Sequence, residues 1–192
     1  MKRRVLKHNG VKHFTDNEVK SFFEAVQKDG NMRDLTIFKT LLFTGLRLSE
    51  LQGLNVEQVK SRDFLTVVGK GGKERTLPLT PDMKKIFQDF LEWKKEVGES
   101  LHPRAPLFKN QKGTGRITAR GIQYRVDYYV KKAKLERSFS PHAFRHTVGY
   151  TLGKKGIPIR VIQKLLGHSN INTTAIYVEP DLDQMGQALR SL

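Results

Sequence analysis

The chain has 192 residues and no cysteine, so one packed domain is expected and disulfides and thiolate metal ligands are excluded. It carries 35 Lys and Arg against 19 Asp and Glu, a formal net charge of +16. Solubility of a small domain needs a net charge of only about 2–8, so this excess indicates a polyanionic partner, nucleic acid before an anionic membrane surface.

The first 53 residues predict three helices. Thr15 and Glu18 have the spacing of a capping box, in which each side chain bonds the backbone of the other residue. Apolar residues then follow at helical spacing, and glycines close the first two helices. The expected helices cover 15–30, 32–44 and 47–53.

The pattern changes to a β-hairpin at residue 64. Segment 64–68 is rich in β-branched residues, the glycine-rich 69–73 predicts a turn, and 75–79 is expected to run back as the second strand. Lys70 lies in this turn, where a lysine is by default a solvated side chain.

The rest of the chain is predicted to be helical, apart from a loop at 98–117. The helix that begins at Thr118 is expected to present a basic outer face that includes Arg125. Helices are expected from 80, at 118–135, 140–153, 158–166 (closed by Gly167), 172–178 and 182–189. The fold class is therefore mainly α with a small antiparallel β-sheet (α+β).

Four side chains near the C-terminus suggest phosphoryl transfer. His142 and Arg145 are three residues apart on one helical face, and a guanidinium can bind two oxygens of a phosphodiester. His168 follows a glycine that closes a helix, and Tyr177 is a candidate nucleophile. Taken singly, each has an ordinary interpretation: a core or rim tyrosine, a surface arginine, a histidine that serves a helix dipole.

Five segments resemble, in the family's order, the conserved boxes of tyrosine recombinases, the lambda-integrase and Xer-type phage integrase family. They are 44–51, 69–75, 141–146, 166–169 and 173–177, within roughly residues 12–180. The resemblance implies the tyrosine-recombinase catalytic-domain fold. It also implies a site-specific recombinase or integrase that cleaves and rejoins DNA through a 3′-phosphotyrosyl intermediate, with no cofactor, ATP or metal.

The resemblance implies six catalytic residues: Arg47, Lys70, His142, Arg145, His168 and Tyr177. The two arginines are expected to hold the non-bridging oxygens of the scissile phosphate, and His168 to hydrogen-bond the phosphate. Lys70 is expected to protonate the departing 5′-hydroxyl, His142 to act as general acid or base, and Tyr177 to attack the phosphorus. Glu50 is expected either to buttress this site or to be a surface carboxylate, and His146 to be structural support.

The expected organisation is a basic arm at 1–14, a catalytic domain at 15–180 and a C-terminal segment at 181–192. That segment either docks on a neighbouring protomer, within a homo-oligomer (tetramer) on DNA, or folds back on its own chain. An N-terminal core-binding domain, usual in the family, is either naturally absent or lies outside this sequence. No membrane span or secretory signal is recognised, and a cytoplasmic location is expected.

Two alternatives remain open. The helix–Gly–helix at 158–177 also fits a non-catalytic DNA-binding regulator. A type IB topoisomerase-like relaxing enzyme shares the chemistry of the six residues.

Overall fold

The computed structural model describes residues 12–168, 170, 172–177 and 190, apart from the side chains of Lys70 and Asn172. Its described elements confirm a mainly α fold with one two-stranded antiparallel sheet. They are α1 (Asp16–Asp29), α2 (Met32–Thr44), α3 (Leu48–Gly53), β1 (Phe64–Val68), β2 (Glu74–Pro78), α4 (Pro81–Glu96), α5 (Ala119–Lys132), α6 (His142–Lys154), α7 (Ile159–Leu166) and α8 (Asn172–Ala175). The helix expected at 182–189 lies outside the described residues.

The helix ends follow local sequence signals. The Thr15 hydroxyl accepts a hydrogen bond from Glu18 N at 3.3 Å, and the Glu18 carboxylate accepts one from Thr15 N at 2.8 Å, so the capping box is confirmed. Gly45 and Gly167 end α2 and α7 with φ of 62° and 65°, the left-handed conformation that glycine adopts without a steric penalty. These two turns matter for function because both adjoin the candidate site.

The hairpin has the expected strands and a short 3-10 turn, Lys70–Gly72, between them. Its register pairs Phe64 with Pro78 and Val68 with Glu74, so β2 begins one residue earlier than expected. Alternate side chains on β1 are buried, which fixes the hairpin on the core and leaves its glycine-rich tip projecting.

Two hydrophobic clusters meet at α6. Phe144 belongs to the main core, where it packs with Phe22 and Phe38 at ring-centroid distances of 5.4 and 5.5 Å. Val148, one turn later, belongs to a smaller cluster with α7 and Tyr177. Helix α6 therefore contributes side chains both to the main core and to the smaller cluster that contains Tyr177.

Arg125 corrects one expectation, because it points inward and not onto a basic outer face. Its guanidinium forms ion pairs with Asp34 and, at 3.3 Å, with Asp29, and it donates to the Tyr129 hydroxyl at 2.9 Å. Asp34 is fully buried in α2 and requires an opposite charge, which a helical periodicity argument on α5 alone does not reveal.

Among the described helices the longest has 16 residues, and none combines the length and apolar character needed to cross a membrane.

Candidate active site

Arg145 is held inside the protein by two backbone carbonyls. Only 1% of the residue is exposed, so the surface-arginine interpretation is wrong. Its Nη1 donates to Gly45 O at 2.7 Å and its Nη2 donates to Leu166 O. Burial, followed by the charges of Arg47 and Arg75, lowers the pKa of Arg145 to about 10, which leaves the guanidinium protonated at neutral pH.

Three arginines, which we call the arginine clamp (Arg47, Arg75 and Arg145), bond three successive carbonyls at the end of α7. Arg75 Nε donates to Leu165 O at 3.2 Å, Arg145 to Leu166 O, and Arg47 Nη2 to Gly167 O at 2.6 Å. The last carbonyls of a helix lack intrahelical partners and carry partial negative charge, which offsets the repulsion among the three guanidiniums. The clamp therefore concentrates positive charge directly before His168.

Glu50 connects two arginines of the clamp. Its carboxylate accepts from Arg47 N at 2.7 Å and Arg47 Nη1 at 3.0 Å, and both oxygens accept from Arg75. Burial raises the pKa of the Glu50 carboxyl, but the hydrogen bonds from Arg75 and Arg47 outweigh it and leave the pKa below its usual value. Glu50 is thus a buried buttress of Arg47, not a surface carboxylate.

Tyr177 is buried against α6 with its hydroxyl on His146. The residue is 7% exposed, and its Oη lies 2.6 Å from His146 Nδ1. Burial, followed by the charge of His142, lowers the pKa of His146 to about 4, and burial raises the pKa of Tyr177. At neutral pH a neutral imidazole therefore accepts a hydrogen bond from a protonated phenol.

Two glycines inside α6 create the space for this tyrosine. A Cβ at Gly149 would lie 2.6 Å from the Tyr177 ring, and a Cβ at Gly153 would lie 1.9 Å from the Tyr177 carbonyl oxygen. Neither glycine has a positive φ, so close approach and not backbone conformation is what requires them. His146, Gly149 and Gly153 lie along one face of α6, and we call them the tyrosine cradle.

His142 and His168 lie on either side of this cradle. The His142 ring is exposed and meets the His146 ring edge-on at a centroid distance of 4.7 Å. The His168 ring lies 6.3 Å from the Tyr177 ring, and its Nδ1 bonds Thr174 Oγ1 at 2.9 Å. Partial desolvation, followed by the charges of Arg145 and Arg47, lowers the pKa of both histidines, that of His168 to about 4.

A basic groove of about 430 Å³ opens between the hairpin and α7. Five cationic side chains line it together with His168, and Glu74 is the acidic residue among its lining residues. Such a groove suits a polyanion backbone. The cations are Arg47, Lys73, Arg75, Arg160 and Lys164.

The structure brings five of the six predicted site residues into one region. Arg47, Arg145 and His168 lie at the end of α7. Tyr177 lies beside His168 and His146, and the His142 ring contacts the His146 ring. The backbone of Lys70 lies in the turn beside the groove, and its side chain is outside what the structure describes. In the described part of the chain, no three His, Cys, Asp or Glu residues are grouped to hold a metal ion.

Sequence reasoning missed two residues of this region. Arg75 lies within the family segment 69–75 but received no role, and His146 was expected only to support the fold. No local sequence signal marks Arg75, because its partner Glu50 is 25 residues away and the burial of that carboxylate is known only from the structure. For His146 no sequence signal exists, because its partner is 31 residues away.

The fold and this site define a tyrosine-recombinase catalytic domain, and comparison with known proteins agrees. Residues 12–183 match the model of the Phage integrase family, so the chain belongs to that family. It is 36% identical over 179 residues to tyrosine recombinase XerC of Caldanaerobacter subterraneus, covering 92% of this chain and 50% of that protein. It is 38% identical over 164 residues to XerC of Myxococcus xanthus, covering 83% and 54%. The chain thus spans about half the length of these relatives.

Solved structures share the fold. XerA recombinase superposes with a TM-score of 0.76 at 24% identity, covering 93% of this chain and 64% of that one. XerH recombinase bound to its difH substrate gives 0.77 at 24% identity, covering 93% and 53%. A lambda integrase dimer bound to a COC′ core site gives 0.64 at 17% identity, covering 92% and 49%.

Proposed function

We propose that this chain is the catalytic part of a site-specific DNA recombinase that works through a 3′-phosphotyrosyl intermediate. The observation that carries the proposal is the placement of Tyr177 beside His146 and His168, with His142 against His146 and with Arg47 and Arg145 on the carbonyls that directly precede His168. A phosphodiester needs fixed positive charge on its non-bridging oxygens and a hydroxyl nucleophile, and this region supplies both.

In the proposed reaction, Arg47 and Arg145 bind the scissile phosphate with donors that their carbonyl contacts leave over. Tyr177 Oη attacks phosphorus, the P–O5′ bond breaks, and Lys70 gives a proton to the departing 5′-oxygen. The phenolic proton leaves to His142 or through His146. A 5′-hydroxyl of a partner strand reverses the step, because one phosphoester is exchanged for another.

Double-stranded DNA is the proposed partner, with residues 15–180 as the catalytic domain. The net charge of +16 and the basic groove support it, as does the DNA that the XerH and lambda integrase structures contain. We also propose that the chain acts as a tetramer on DNA, with 181–192 docked on a neighbouring protomer, and in the cytoplasm.

The test uses a pool of nicked duplexes with a randomised central segment, incubated with the chain in EDTA. Covalent protein–DNA adducts are captured in SDS and sequenced. We expect adducts enriched in one sequence and lost on Tyr177→Phe. Absence of any adduct would leave only the DNA-binding regulator.

Two readouts then separate recombination from simple relaxation. Plasmids that carry two copies of the selected sequence are assayed for exchanged products and for loss of supercoils. Relaxation without exchange would favour a topoisomerase-like enzyme over the recombinase.

A further inference from the structure

We propose that Arg75 is a positioning residue for this reaction: it fixes the hairpin, and with it the general acid Lys70, to the phosphate-binding end of α7. The inference rests on the proposed function and adds to it a residue that touches neither phosphate nor leaving group.

The first support is the contact between Arg75 and Glu50. Arg75 bonds both carboxylate oxygens, with Nη2 at 2.8 Å from Oε2, and the two side chains are 13% and 1% exposed. A two-point bond between planar groups fixes direction as well as distance. Because Glu50 also bonds Arg47, the hairpin and the start of α3 share one buried carboxylate.

The second support is the contact between Arg75 and α7. Arg75 Nε donates to Leu165 O at 3.2 Å, and its side chain crosses the last turn of that helix. A Cβ at Gly167 would lie 3.0 Å from Arg75 Cδ, so this glycine admits the arginine. The hairpin is thereby joined to the turn that ends at His168.

Backbone hydrogen bonds close the turn, from Gly69 N to Lys73 O at 2.8 Å and from Gly72 N to Gly69 O at 3.3 Å, but they do not join it to α7. Gly71 and Gly72 have φ of 75° and 74°, and residues 71–74 are exposed. Two consecutive glycines leave the backbone with more conformational freedom than any other pair. The tip is therefore oriented from its base, where Arg75 pairs with Val67 across the strands.

The test compares an ordinary cleavage substrate with one whose 5′-bridging oxygen is sulfur. Both are duplexes of the sequence selected above. A thiolate leaves without a proton, since a thiol has a far lower pKa than an alcohol, so cleavage of the sulfur substrate needs no general acid. Removal or displacement of the general acid Lys70 must therefore lower the cleavage rate of the oxygen substrate only.

The variant is Arg75→Lys, which keeps the charge but loses the planar fork. We expect its rate on the oxygen substrate to fall about 10- to 100-fold, within the range for a displaced general acid, and its rate on the sulfur substrate to stay near that of the unmodified chain. Lys70→Ala should behave in the same way.

Arg137→Lys is the matched control. Arg137 donates to both carboxylate oxygens of Glu18 and, at 3.2 Å, to His13 O. It is not among the residues of the candidate site. It therefore repeats the contact type of Arg75 elsewhere, and we expect unchanged rates on both substrates. Because the Arg137–Glu18 pair is more exposed (side chains 44% and 18%), this variant controls for the loss of a two-point contact, and a structural effect at Arg75 is instead recognised by equal slowing on both substrates.

Single-turnover rate constants are measured with protein in saturating excess, where the rate no longer rises with protein concentration, so that a small unfolded fraction changes neither the rate nor the amplitude. Arg75→Gln is measured in parallel in case Arg75→Lys does not fold. Equal slowing on both substrates, or no slowing on the oxygen substrate, overturns the role of Arg75. If the sulfur substrate does not restore the cleavage rate of Lys70→Ala, Lys70 is not the general acid and this inference is wrong. No adduct from the unmodified chain means that the proposed function itself is wrong.

Discussion

The residue with the narrowest tolerance is Gly153. It lies inside a helix, where a glycine costs about 0.5–1 kcal/mol relative to alanine, and nothing in its backbone conformation requires it. The Tyr177 carbonyl occupies the place of its missing Cβ. The cost of the glycine is thus offset by the packing of the segment that carries Tyr177 against α6.

Gly153→Ala should expel Tyr177 from the cradle. We expect the single-turnover rate of adduct formation to fall at least tenfold, since misplacing a reacting group by an ångström can cost about 100-fold. The melting temperature should not rise, although alanine is the better helix former.

Gly53→Ala is the control, because a Cβ at Gly53 meets nothing within 4 Å. This variant should keep its cleavage rate and its stability. A Gly153→Ala protein that is more stable and equally active would show that Tyr177 does not need the space left by the missing Cβ of Gly153.

Single helices of this protein were predictable because their signals are local. The capping box of Thr15 and Glu18, the closing glycines 45 and 167 and the hairpin strands are all read within a few residues, and all are found. The family resemblance added the candidate residues.

The contacts between elements were not predictable in the same way. Arg75 meets Glu50 across 25 residues and Leu165 across 90, and Arg125 meets Asp34 across 91. Such pairs depend on how the elements pack, and a single sequence read without an alignment carries no trace of them. The missed roles of Arg75 and His146 and the wrong face for Arg125 have this one cause.

The polar cluster among α1, α2 and α5 is expected to be structural. Asp34 is fully buried, and it accepts hydrogen bonds from Arg33, Arg125 and Tyr129. Asp34→Ala leaves Arg125 without its buried partner, and we expect the free energy of unfolding to fall by about 3 kcal/mol in urea titrations.

Asp89→Ala provides the comparison, since Asp89 pairs with Lys85 on an exposed helix face and should contribute little. The folded Asp34→Ala protein should cleave DNA at nearly the normal rate. A selective loss of cleavage would instead assign this cluster to the site.

Two half-buried histidines make the stability of the whole domain sensitive to acid. The pKa values of His146 and His168 are lowered from the usual 6.5 to about 4, chiefly by burial. Between these values the unfolded chain binds more protons than the folded one, so the free energy of unfolding falls as pH decreases from 6.5 toward 4.

Urea titrations across this pH range measure the effect, and His146→Asn should show a shallower decline than the unmodified chain. The part of this range above pH 5 reports the histidines, because carboxyl groups with lowered pKa values lose their contribution mainly at lower pH: hydrogen bonds, first from Lys132, hold the pKa of Asp29 at about 2. An unchanged slope in His146→Asn would mean that His146 is not held neutral in the fold.

The positive charge of the molecule is expected to act mainly through the basic groove. Each phosphate that a protein neutralises changes the slope of log K against log salt by about 0.9. Arg160 and Lys164 line the groove from α7, so the double change Arg160→Gln and Lys164→Gln should flatten the slope by about 1.8 for duplex DNA.

Lys85→Gln with Lys95→Gln on α4 removes the same net charge away from the groove residues and is the control. If DNA follows the groove, the control keeps the full slope, measured by fluorescence anisotropy over a series of salt concentrations. Equal flattening by both double variants would mean that charge attracts DNA without a defined path. A flattening confined to the α7 pair ties the net charge of +16 to the surface that adjoins Arg47 and His168, and so to the place where the phosphodiester must bind.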